Sequence, residues 1–246
     1  MARVNVQFVG SGDAFGSGGR FQPCISVRSG ETHVVLDIGA TSLTAMQKLA
    51  LDPASVEAII VTHLHGDHFG GIPFFILDAQ FRRGTKPLVI AGPAGVREGV
   101  LQAMEVFFPG SSRIERKFET RFVEIPAGTA TPVGAVSVTG YEVPHPSGAP
   151  AYALRVECGG KIIAYSGDSE WSEALVEAAR GADLFICEAY YFEKIIRNHL
   201  SYATLRQERA RLECRRLILT HMSADMLARR DQVGEEMADD GLVLNL

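Results

Sequence analysis

Residues 62–71 read THLHGDHFGG, a stretch that concentrates side chains able to bind metal ions. Its ligand-type residues follow the spacing H-x-H-x-D-H, at His63, His65, Asp67 and His68. A neutral imidazole and a carboxylate are both suitable ligands for a borderline divalent ion such as zinc. The glycines of the stretch let the backbone bend sharply, so neighbouring side chains can point toward different centres. We therefore expect a metal-binding loop here.

The segment that leads into this loop, VEAIIVTH at residues 56–63, is a short apolar run typical of a strand buried on both faces. That context argues against an ordinary polar surface loop. In the second half of the chain, RRLILTH at residues 215–221 repeats the pattern and also ends in Thr-His. Two similar β/α halves, packed sheet against sheet with helices outside, would bring both strand ends to a shared edge. Ligands and catalytic groups collect at such edges in α/β architectures.

Apolar periodicity predicts the remaining elements along the chain. Strands are expected at residues 4–8, 24–30, 32–40, 56–63, 86–92, 182–189 and 215–221, with several more inside 120–165. Helices are expected at residues 41–50, from about 71, at 94–107, from about 172, at 201–213 and at 225–237. A Gly/Ser-rich loop at residues 10–21 separates the first two strands.

The composition of the 246-residue chain is that of an ordinary globular protein, with 46% hydrophobic and 22% charged residues. A formal net charge of −5 and a sequence pI of about 5.8 give no global attraction for nucleic acid. No apolar run approaches the ~20 residues that cross a bilayer, and the start reads as a strand rather than a signal peptide. The four cysteines are far apart and lack a C-x-x-C pair, which predicts buried free thiols and a cytoplasmic location.

The THLHGDHFGG stretch resembles the signature of the metallo-β-lactamase fold hydrolases, and the resemblance covers nearly the whole chain. It implies an α/β fold, a four-layer αβ/βα sandwich that forms a single hydrolase domain over residues 1–246. Three later segments, VPHPSG, AYSGDSEW and ILTHMS, match the family's further ligands in its order, with His145, Asp168 and His221. The resemblance implies two divalent metal ions per chain, with zinc expected and manganese as an alternative in vitro.

By the same resemblance, the candidate ligands divide over two sites. One ion is held by His63, His65 and His145, the other by Asp67, His68 and His221, and Asp168 bridges them. Each later residue alone is a weak signal, because a single histidine after a strand is more often a packed or surface residue. The set is stronger, since the chain has seven histidines and this assignment uses five of them. His33 is left without a role and is expected to be structural.

Segments outside the ligand set resemble ribonuclease Z and the related phosphodiesterases. FVGSGDAFGSGGRFQPCISV at residues 8–27 and LVIAGPAGV at residues 88–96 match that group. ICEAYYFEKIIRNHLSYATL at residues 186–205 separates the group best from other members of the fold, because Glu188 and His199 match its strand-end glutamate and its histidine. The serine that follows is displaced by one position, to Ser201, a variation familiar in the small cyclic phosphodiesterases of the group.

The resemblance implies hydrolysis of a phosphodiester bond by a hydroxide that bridges two metal ions. His199 would act as the general acid for the leaving oxygen, with Glu188 orienting it and favouring its imidazolium form. Asp67 would be a ligand that also holds or deprotonates the nucleophilic water. Asp13, in the glycine loop, is expected either to support a ligating histidine or to stabilise a turn.

One departure from ribonuclease Z bears on the substrate. Ribonucleases Z carry a protruding arm that grips transfer RNA, but residues 108–122, FPGSSRIERKFETRF, are too short for such an arm. The basic residues of this segment either contact phosphates or belong to a solvated loop: Arg113, Arg116, Lys117 and Arg121. The sequence therefore favours a small or cyclic phosphodiester over tRNA as the partner, and a homodimer with no membrane partner is expected.

Three alternative functions remain open at this point. The first is a ribonuclease Z-like tRNA 3′-processing endonuclease, and the second is a lactonase or thioesterase. The third is a non-enzymatic, metal-binding regulatory module. Carbonyl hydrolysis on this scaffold does not usually require a pair such as Glu188 and His199, and a regulatory module would leave His199 without a purpose.

Overall fold

The computed structural model describes residues 3–82 and 84–246, which form two seven-stranded sheets that face each other. The strands are β1 (Val4–Gly10), β2 (Cys24–Ser29), β3 (Thr32–Leu36), β4 (Ala58–Ile60), β5 (Leu88–Gly92), β6 (Thr120–Glu124), β7 (Thr131–Val133), β8 (Val136–Val143), β9 (Ala151–Cys158), β10 (Lys161–Tyr165), β11 (Leu184–Glu188), β12 (Leu217–Thr220), β13 (Glu236–Met237) and β14 (Val243–Asn245). The helices are α1 (Ser42–Lys48), α2 (Gly66–Phe69), α3 (Ile72–Arg82), α4 (Val96–Phe107), α5 (Glu173–Ala179), α6 (Tyr202–Glu208) and α7 (Ala224–Leu227).

Each sheet is antiparallel on one side and parallel on the other. The first has the order β14-β1-β2-β3-β4-β5-β6, antiparallel from β14 to β3 and parallel from β3 to β6. The second has the order β13-β12-β11-β10-β9-β8-β7, parallel from β13 to β10 and antiparallel from β10 to β7. The carboxyl ends of parallel strands share one edge of a sheet, and the candidate site residues follow those ends.

A continuous apolar core lies between the sheets, and two further cores lie under the helices. Side chains from both sheets meet in the central core, among them Phe8, Ile60, Tyr165 and Ile186. One outer core joins the first sheet to α1, α3 and α4, and the other joins the second sheet to α5, α6 and α7. β4, β11 and β12 are buried along their whole length, as their continuous apolar sequences predict. The layer order of helix, sheet, sheet and helix confirms the expected four-layer αβ/βα sandwich.

Most of the expected helices are present, with shorter ends. Pro73 is buried in the first turn of α3, where its missing N–H removes no intrahelical hydrogen bond. α6 begins after Ser201, whose hydroxyl caps the helix by accepting a hydrogen bond from Thr204 N (3.2 Å). The helix expected over residues 201–213 ends at Glu208 and continues only as a 3₁₀ turn at Arg209–Arg211.

The helix expected at residues 225–237 is wrong beyond its first turn. α7 ends at Leu227, a 3₁₀ turn covers Arg230–Gln232, and Glu236–Met237 forms β13. β13 pairs in parallel with the outer edge of β12 and supplies backbone partners to a buried strand. A helix interrupted by Gly234 would stabilise the fold less than this pairing does. Without β13, backbone groups at the outer edge of β12 would be buried and unpaired, which is costly. The terminal strand β14, which pairs with β1, is also absent from the sequence expectation.

Two buried residues that follow parallel strands have left-handed backbone conformations. Asp37 comes directly after β3 and His221 directly after β12, and both have a φ of 55°. Residues other than glycine are uncommon in this region, so the surrounding structure must hold both positions. Each turn swings its side chain away from the strand direction at the edge where the two sheets meet.

In the described ranges, no helix is both long and apolar enough to span a membrane. All four cysteines carry free thiols, and Cys24, Cys158 and Cys187 are buried, as expected. Burial raises the pKa of Cys24 to about 12 and that of Cys187 well above its usual value. These thiols are therefore packing groups rather than nucleophiles.

Candidate metal centre

The THLHGDHFGG loop begins at the end of β4 and wraps around the single turn of α2. His65 is the residue before α2, and the turn itself carries the next two ligand-type side chains. The loop is pressed against the segment that follows β3, because Ile38 N donates to His68 O (2.7 Å). A Cβ added at Gly71 would lie 2.3 Å from Gly39 O, so only glycine fits at this contact. The glycines of the loop therefore allow close packing of backbone against backbone as well as sharp bends of the chain.

A first cluster consists of three imidazole nitrogens. His65 Nδ1 lies 3.2 Å from His63 Nε2 and 3.0 Å from His145 Nε2. The opposite nitrogens are already used: His63 Nδ1 lies 3.0 Å from Thr62 Oγ1, and His145 Nδ1 donates to Asn198 O (2.7 Å). Since the Thr62 hydroxyl donates to a carboxylate, its oxygen accepts the proton of His63 Nδ1. The lone pairs of His63 Nε2 and His145 Nε2 are thus turned toward His65 Nδ1, and the three nitrogens face one point.

A second cluster combines a carboxylate with two further imidazoles. Asp67 Oδ2 lies 3.3 Å from Nε2 of both His68 and His221. His68 donates its Nδ1 proton to Asp37 Oδ2 (2.7 Å), so Nε2 is the nitrogen that is left to face the cluster. That Nε2 is buried and has no hydrogen-bond partner among the described residues.

Asp168 lies between the two clusters and faces both. Its Oδ1 is 3.2 Å from His68 Nε2 and 3.5 Å from His221 Nε2, and its Oδ2 is 3.9 Å from Nε2 of both His63 and His145. Within the described part of the chain, Oδ1 is buried and makes no hydrogen bond. One carboxylate oxygen therefore faces each cluster, the arrangement that a bridging ligand requires.

The donor set fits divalent metal ions. Protons could satisfy single contacts in these clusters, but no distribution of protons satisfies three nitrogens that face one point. A cation at each cluster would satisfy all of them and would partner the buried orphan atoms. Imidazole nitrogens with a few carboxylate oxygens are the ligands that zinc prefers in hydrolytic sites. The sequence-predicted ligands are brought together as two clusters, and every candidate is in one of them: His63, His65, His145, Asp67, His68, His221 and Asp168.

The charge state of the two clusters differs. Burial lowers the pKa of His63 and of His145 below the usual histidine value, so both imidazoles are neutral and able to bind a metal. Burial acts in the same direction at His221, but the carboxylates of Asp168 and Asp67 outweigh it and raise the pKa to about 9. The carboxylates of Asp168, Asp37 and Asp67 likewise outweigh burial at His68 and raise its pKa well above the usual value, so without an ion both imidazoles supply the positive charge that the carboxylates need. Metal binding at the second cluster must therefore release protons.

Asp37 is a site residue that the sequence reasoning missed. Its fully buried carboxylate accepts hydrogen bonds from Thr62 N (2.8 Å), Thr62 Oγ1 (2.9 Å) and His68 Nδ1 (2.7 Å). It orients His68 directly and His63 through the threonine hydroxyl, so one carboxylate supports both clusters. The signal was present in VVLDIGA, where an acidic residue ends a run of buried apolar residues.

Asp13 and His33 lie in hydrogen-bond networks of their own. Asp13 accepts from Ser17 N (2.8 Å) and from Ser17 Oγ (2.7 Å), which makes it a turn residue, the second of the two roles expected for it. His33 is buried between Ser26 Oγ, 2.9 Å from its Nε2, and Ser55 Oγ, 2.8 Å from its Nδ1. These contacts agree with the structural role expected of His33.

Glu188 and His199 form a hydrogen-bonded pair beside the clusters. Glu188 ends β11 and is fully buried, and its Oε2 lies 3.0 Å from His199 Nδ1. His199 Nδ1 is also 3.9 Å from Asp168 Oδ2, and its ring stacks on Tyr190 with centroids 4.6 Å apart. Burial would lower the pKa of His199, but the hydrogen bond to Glu188 raises it overall. The side chain is 21% exposed, so the imidazole can meet a ligand from solvent.

Sequence comparison assigns the chain to a known family. The family model of the anti-Pycsar protein Apyc1 matches residues 4–238. The uncharacterized protein ML1173 of Mycobacterium leprae is 33% identical over 219 residues, which cover 85% of this chain and 74% of that protein. Ribonuclease Z of Geobacillus kaustophilus is 26% identical over 245 residues, which cover 77% of this chain and 78% of the enzyme.

Solved structures share the architecture described above. The metallo-β-lactamase fold protein YhfI from Bacillus subtilis matches with a TM-score of 0.81 and 20% identity over 100% of both chains. The short form of human tRNase Z matches with a TM-score of 0.77 and 23% identity over 98% of both chains. At these identities the likeness shows the fold alone, and the fold is the one expected from the sequence. The chain therefore belongs to the anti-Pycsar protein Apyc1 family and adopts the metallo-β-lactamase fold.

Proposed function

We propose that this protein is a dinuclear, metal-dependent hydrolase that cleaves the phosphodiester bond of a small or cyclic substrate. The observation that carries the proposal is the Glu188–His199 pair beside a double cluster of metal-ligand side chains. Phosphodiester hydrolysis needs an activated water, neutralisation of charge on the phosphoryl oxygens and a proton for the leaving oxygen. The clusters suit the first two tasks and the pair suits the third. The similarity to ribonuclease Z supports the same class of reaction.

In this proposal the clusters would hold two zinc ions. His63, His65 and His145 would hold one ion, Asp67, His68 and His221 would hold the other, and Asp168 would be shared between them. Two such ions, when bound, lower the pKa of water and neutralise the phosphoryl oxygens. The side chain of Asp67 is 10% exposed, more than that of Asp168, His68 or His221. Burial would raise the pKa of Asp67, but His68 and His221 lower it well below its usual value, so in this proposal the ionised carboxylate holds the attacking water rather than taking its proton.

His199 is the proposed general acid. Its Nδ1 is occupied by Glu188 Oε2, so Nε2 is the nitrogen that can donate a proton to the leaving oxygen. Glu188 is itself fixed, because its Oε1 accepts a hydrogen bond from Ser169 N. Stacking on Tyr190 holds the plane of the ring. The raised pKa of His199 favours the imidazolium form, which is the form that a general acid requires.

The proposal of a small substrate rests on the segment between α4 and β6. It holds a 3₁₀ turn at Ser111–Arg113 and then enters β6, without an extension that could grip a large RNA. Arg121 is paired with Glu119 (2.7 Å), and Arg116 is half-buried against Met104 and Ser111. The second candidate, a tRNA 3′-processing endonuclease, is supported by the similarity to ribonuclease Z over most of both chains. A lactonase or thioesterase would leave the Glu188–His199 pair without a task.

A cytoplasmic homodimer completes the proposal. Free buried thiols suit a reducing compartment. The exposed apolar side chains of Phe74, Phe81, Val106 and Phe107 lie on α3 and α4, where they offer a face to a second copy of the chain.

A panel of substrates tests the proposal on purified, zinc-loaded protein. It contains a chromogenic phosphodiester, the matching monoester, cyclic nucleotides, a lactone and precursor tRNA at physiological salt. We expect hydrolysis of the diesters and little hydrolysis of the monoester, the lactone or the tRNA. Efficient removal of the tRNA 3′ trailer would favour the endonuclease, and preference for the lactone would overturn the phosphodiesterase assignment. Low salt is avoided, because non-specific phosphate contacts strengthen steeply there.

A further inference from the structure

The loop between β11 and α6, residues 189–201, carries the proposed general acid on a backbone that is partly in solvent. The loop is closed at its base, where Tyr190 N donates to Leu200 O (2.8 Å), but residues 193–195 and 197 are exposed. His199 must nevertheless be held at a fixed position relative to the ligand clusters, because proton transfer depends on distance and direction. The contacts that fix this end of the loop therefore bear directly on the proposed reaction.

Asn198, the residue before His199, is bonded on both sides to groups outside the loop. Its N–H donates to Glu170 Oε1 (2.8 Å), and its carbonyl oxygen accepts the Nδ1 proton of His145 (2.7 Å). Its φ of 71° is a left-handed conformation, which asparagine tolerates better than most residues but which the surrounding contacts must still hold. The peptide group that accepts from His145 also carries the N–H of His199. One peptide group therefore joins a candidate metal ligand to the proposed general acid.

Glu170 lies at the junction of the two segments that this peptide group joins. Its side chain bonds to Asn198 N, and its own N–H donates to the carbonyl oxygen of Pro144 (3.4 Å), the residue before His145. The rings of His145 and His199 meet edge to face beside this junction, with centroids 5.2 Å apart. Within the described part of the chain, Glu170 belongs to none of the groups of converging ligand atoms. Its carboxylate therefore supports the backbone rather than a metal ion.

The two residues before Glu170 contact other parts of the same site. Asp168 is the carboxylate that faces both clusters, and Ser169 N donates to Oε1 of Glu188, the partner of His199. Three consecutive residues thus contact the clusters, the partner of the acid and the backbone that carries the acid. Because the three belong to one short segment after β10, their spacing is fixed by the chain itself. Glu170 therefore ties the position of the acid to the position of the shared carboxylate.

We propose that Glu170 is a positioning residue that fixes His145 and His199 together, through the backbone of Asn198. The inference rests on the proposed function and adds to it a residue outside both the ligand set and the acid pair. A carboxylate is a strong acceptor for a backbone N–H, and this bond helps to offset the cost of the left-handed conformation at Asn198. Without it, His145 loses a fixed acceptor for its Nδ1 proton, and His199 loses the fixed start of its own backbone.

The test measures turnover and zinc affinity in Glu170→Ala and Glu170→Gln, with turnover taken at zinc concentrations that saturate both sites. Glu170→Ala should lower kcat by about 10- to 100-fold for a diester with a poor leaving group, far less for a nitrophenyl diester, and leave KM unchanged. In chelator competition, one of the two ions should bind about 10-fold more weakly, because only one cluster contains His145. Glu170→Gln keeps an acceptor oxygen and should restore both properties. Glu173→Ala is the matched control, because that carboxylate is 73% exposed and pairs with Arg211.

A double variant separates the effect on the acid from the effect on the metal ligand. In a His199→Ala background, Glu170→Ala should cause no further loss with the poor leaving group, because the acid that Glu170 positions is already absent. An undiminished further loss, equal losses on both diesters, or a Glu170→Gln variant as impaired as Glu170→Ala would overturn the proposal and leave the phosphodiesterase function standing. If the wild type hydrolyses no diester, the proposed function itself fails. Chelator competition does not depend on turnover, and unchanged zinc affinity in Glu170→Ala would contradict the positioning of His145.

Discussion

The buried imidazole of His33 makes folding stability depend on pH in a way that can be calculated. Ser55 Oγ donates to Asp52 O (2.7 Å), so it accepts the Nδ1 proton of His33, and Nε2 is left to accept from the Ser26 hydroxyl. Each contact needs a neutral ring. Burial lowers the pKa of His33 from 6.5 to about 3, and the charge of Arg28 contributes in the same direction. Between pH 6.5 and about pH 3, the unfolded chain therefore binds a proton at His33 that the folded chain does not bind.

The sign and size of the effect follow from this difference. The stability that His33 contributes is fully present above pH 6.5 and is lost as the pH falls from 6.5 toward 3, because the unfolded state binds more protons in that window. At about pH 5 the unfolded state gains roughly 2 kcal/mol relative to neutral pH, and below about pH 3 the gain approaches roughly 5 kcal/mol. A loss of ~2 kcal/mol is a large part of the stability of an ordinary domain.

The assay is urea unfolding of wild type and His33→Gln at about pH 7.5 and pH 5, with a chelator present so that metal ligands contribute equally. Glutamine keeps one donor and one acceptor but does not titrate. The free energy of unfolding of the wild type should fall by about 2 kcal/mol more than that of the variant between the two pH values. The difference between the two proteins at pH 7.5 measures how much the imidazole and its serine hydrogen bonds stabilise the fold when the ring is neutral. Equal falls in the two proteins would refute the buried, neutral imidazole.

Three further predictions address the metal centre. Asp168→Ala should remove metal from both clusters, and one ion per chain by elemental analysis would show that the carboxylate is not shared. His199→Ala should keep both ions yet lose ~10²–10⁴-fold in turnover of a diester with a poor leaving group, and far less with a nitrophenolate. Glu188→Gln should show the same trend more mildly, whereas a ratio that is flat across leaving groups would refute the acid role. Asn198 holds His145 through its carbonyl at a φ of 71°, so Asn198→Gly should keep zinc affinity and Asn198→Val should weaken it by about 10- to 100-fold in chelator competition. Equal affinities would show that this contact does not support the ligand.

The sequence was sufficient to predict the fold class and the cluster of ligand-type residues, because both depend on strong local signals. His63 and His221 each follow a fully buried apolar strand, and packing the two sheets face to face brings the ends of these strands to a common edge. The order of a buried strand followed by ligand-type residues can therefore be recognised directly in the sequence. The resemblance to a known family added the order of the later residues, and the structure places them within contact of one another.

The features that could not be predicted from the sequence are determined by tertiary contacts. Asp13 and Asp37 are both acidic residues near glycines, yet the first stabilises its own turn and the second supports His68. Only the packing of the loop after β4 onto the end of β3 separates the two roles. Residues 225–237 have helical composition, but the free edge of β12 draws Glu236–Met237 into a strand. Backbone hydrogen bonding to β12 outweighs the local helix propensity there.

The left-handed backbone at Asp37 and His221 connects metal supply to the abundance of the protein. Each such position costs on the order of 1–3 kcal/mol, and within the described residues His221 also buries an Nδ1 atom without a hydrogen-bond partner. The metal-free chain bears these costs alone, whereas bound ions stabilise the folded state by mass action. Cells continuously remove unfolded chains, so under the proposed function a fall in the available metal would reduce the number of molecules present as well as the activity of each one. Metal scarcity would thus act on this protein twice.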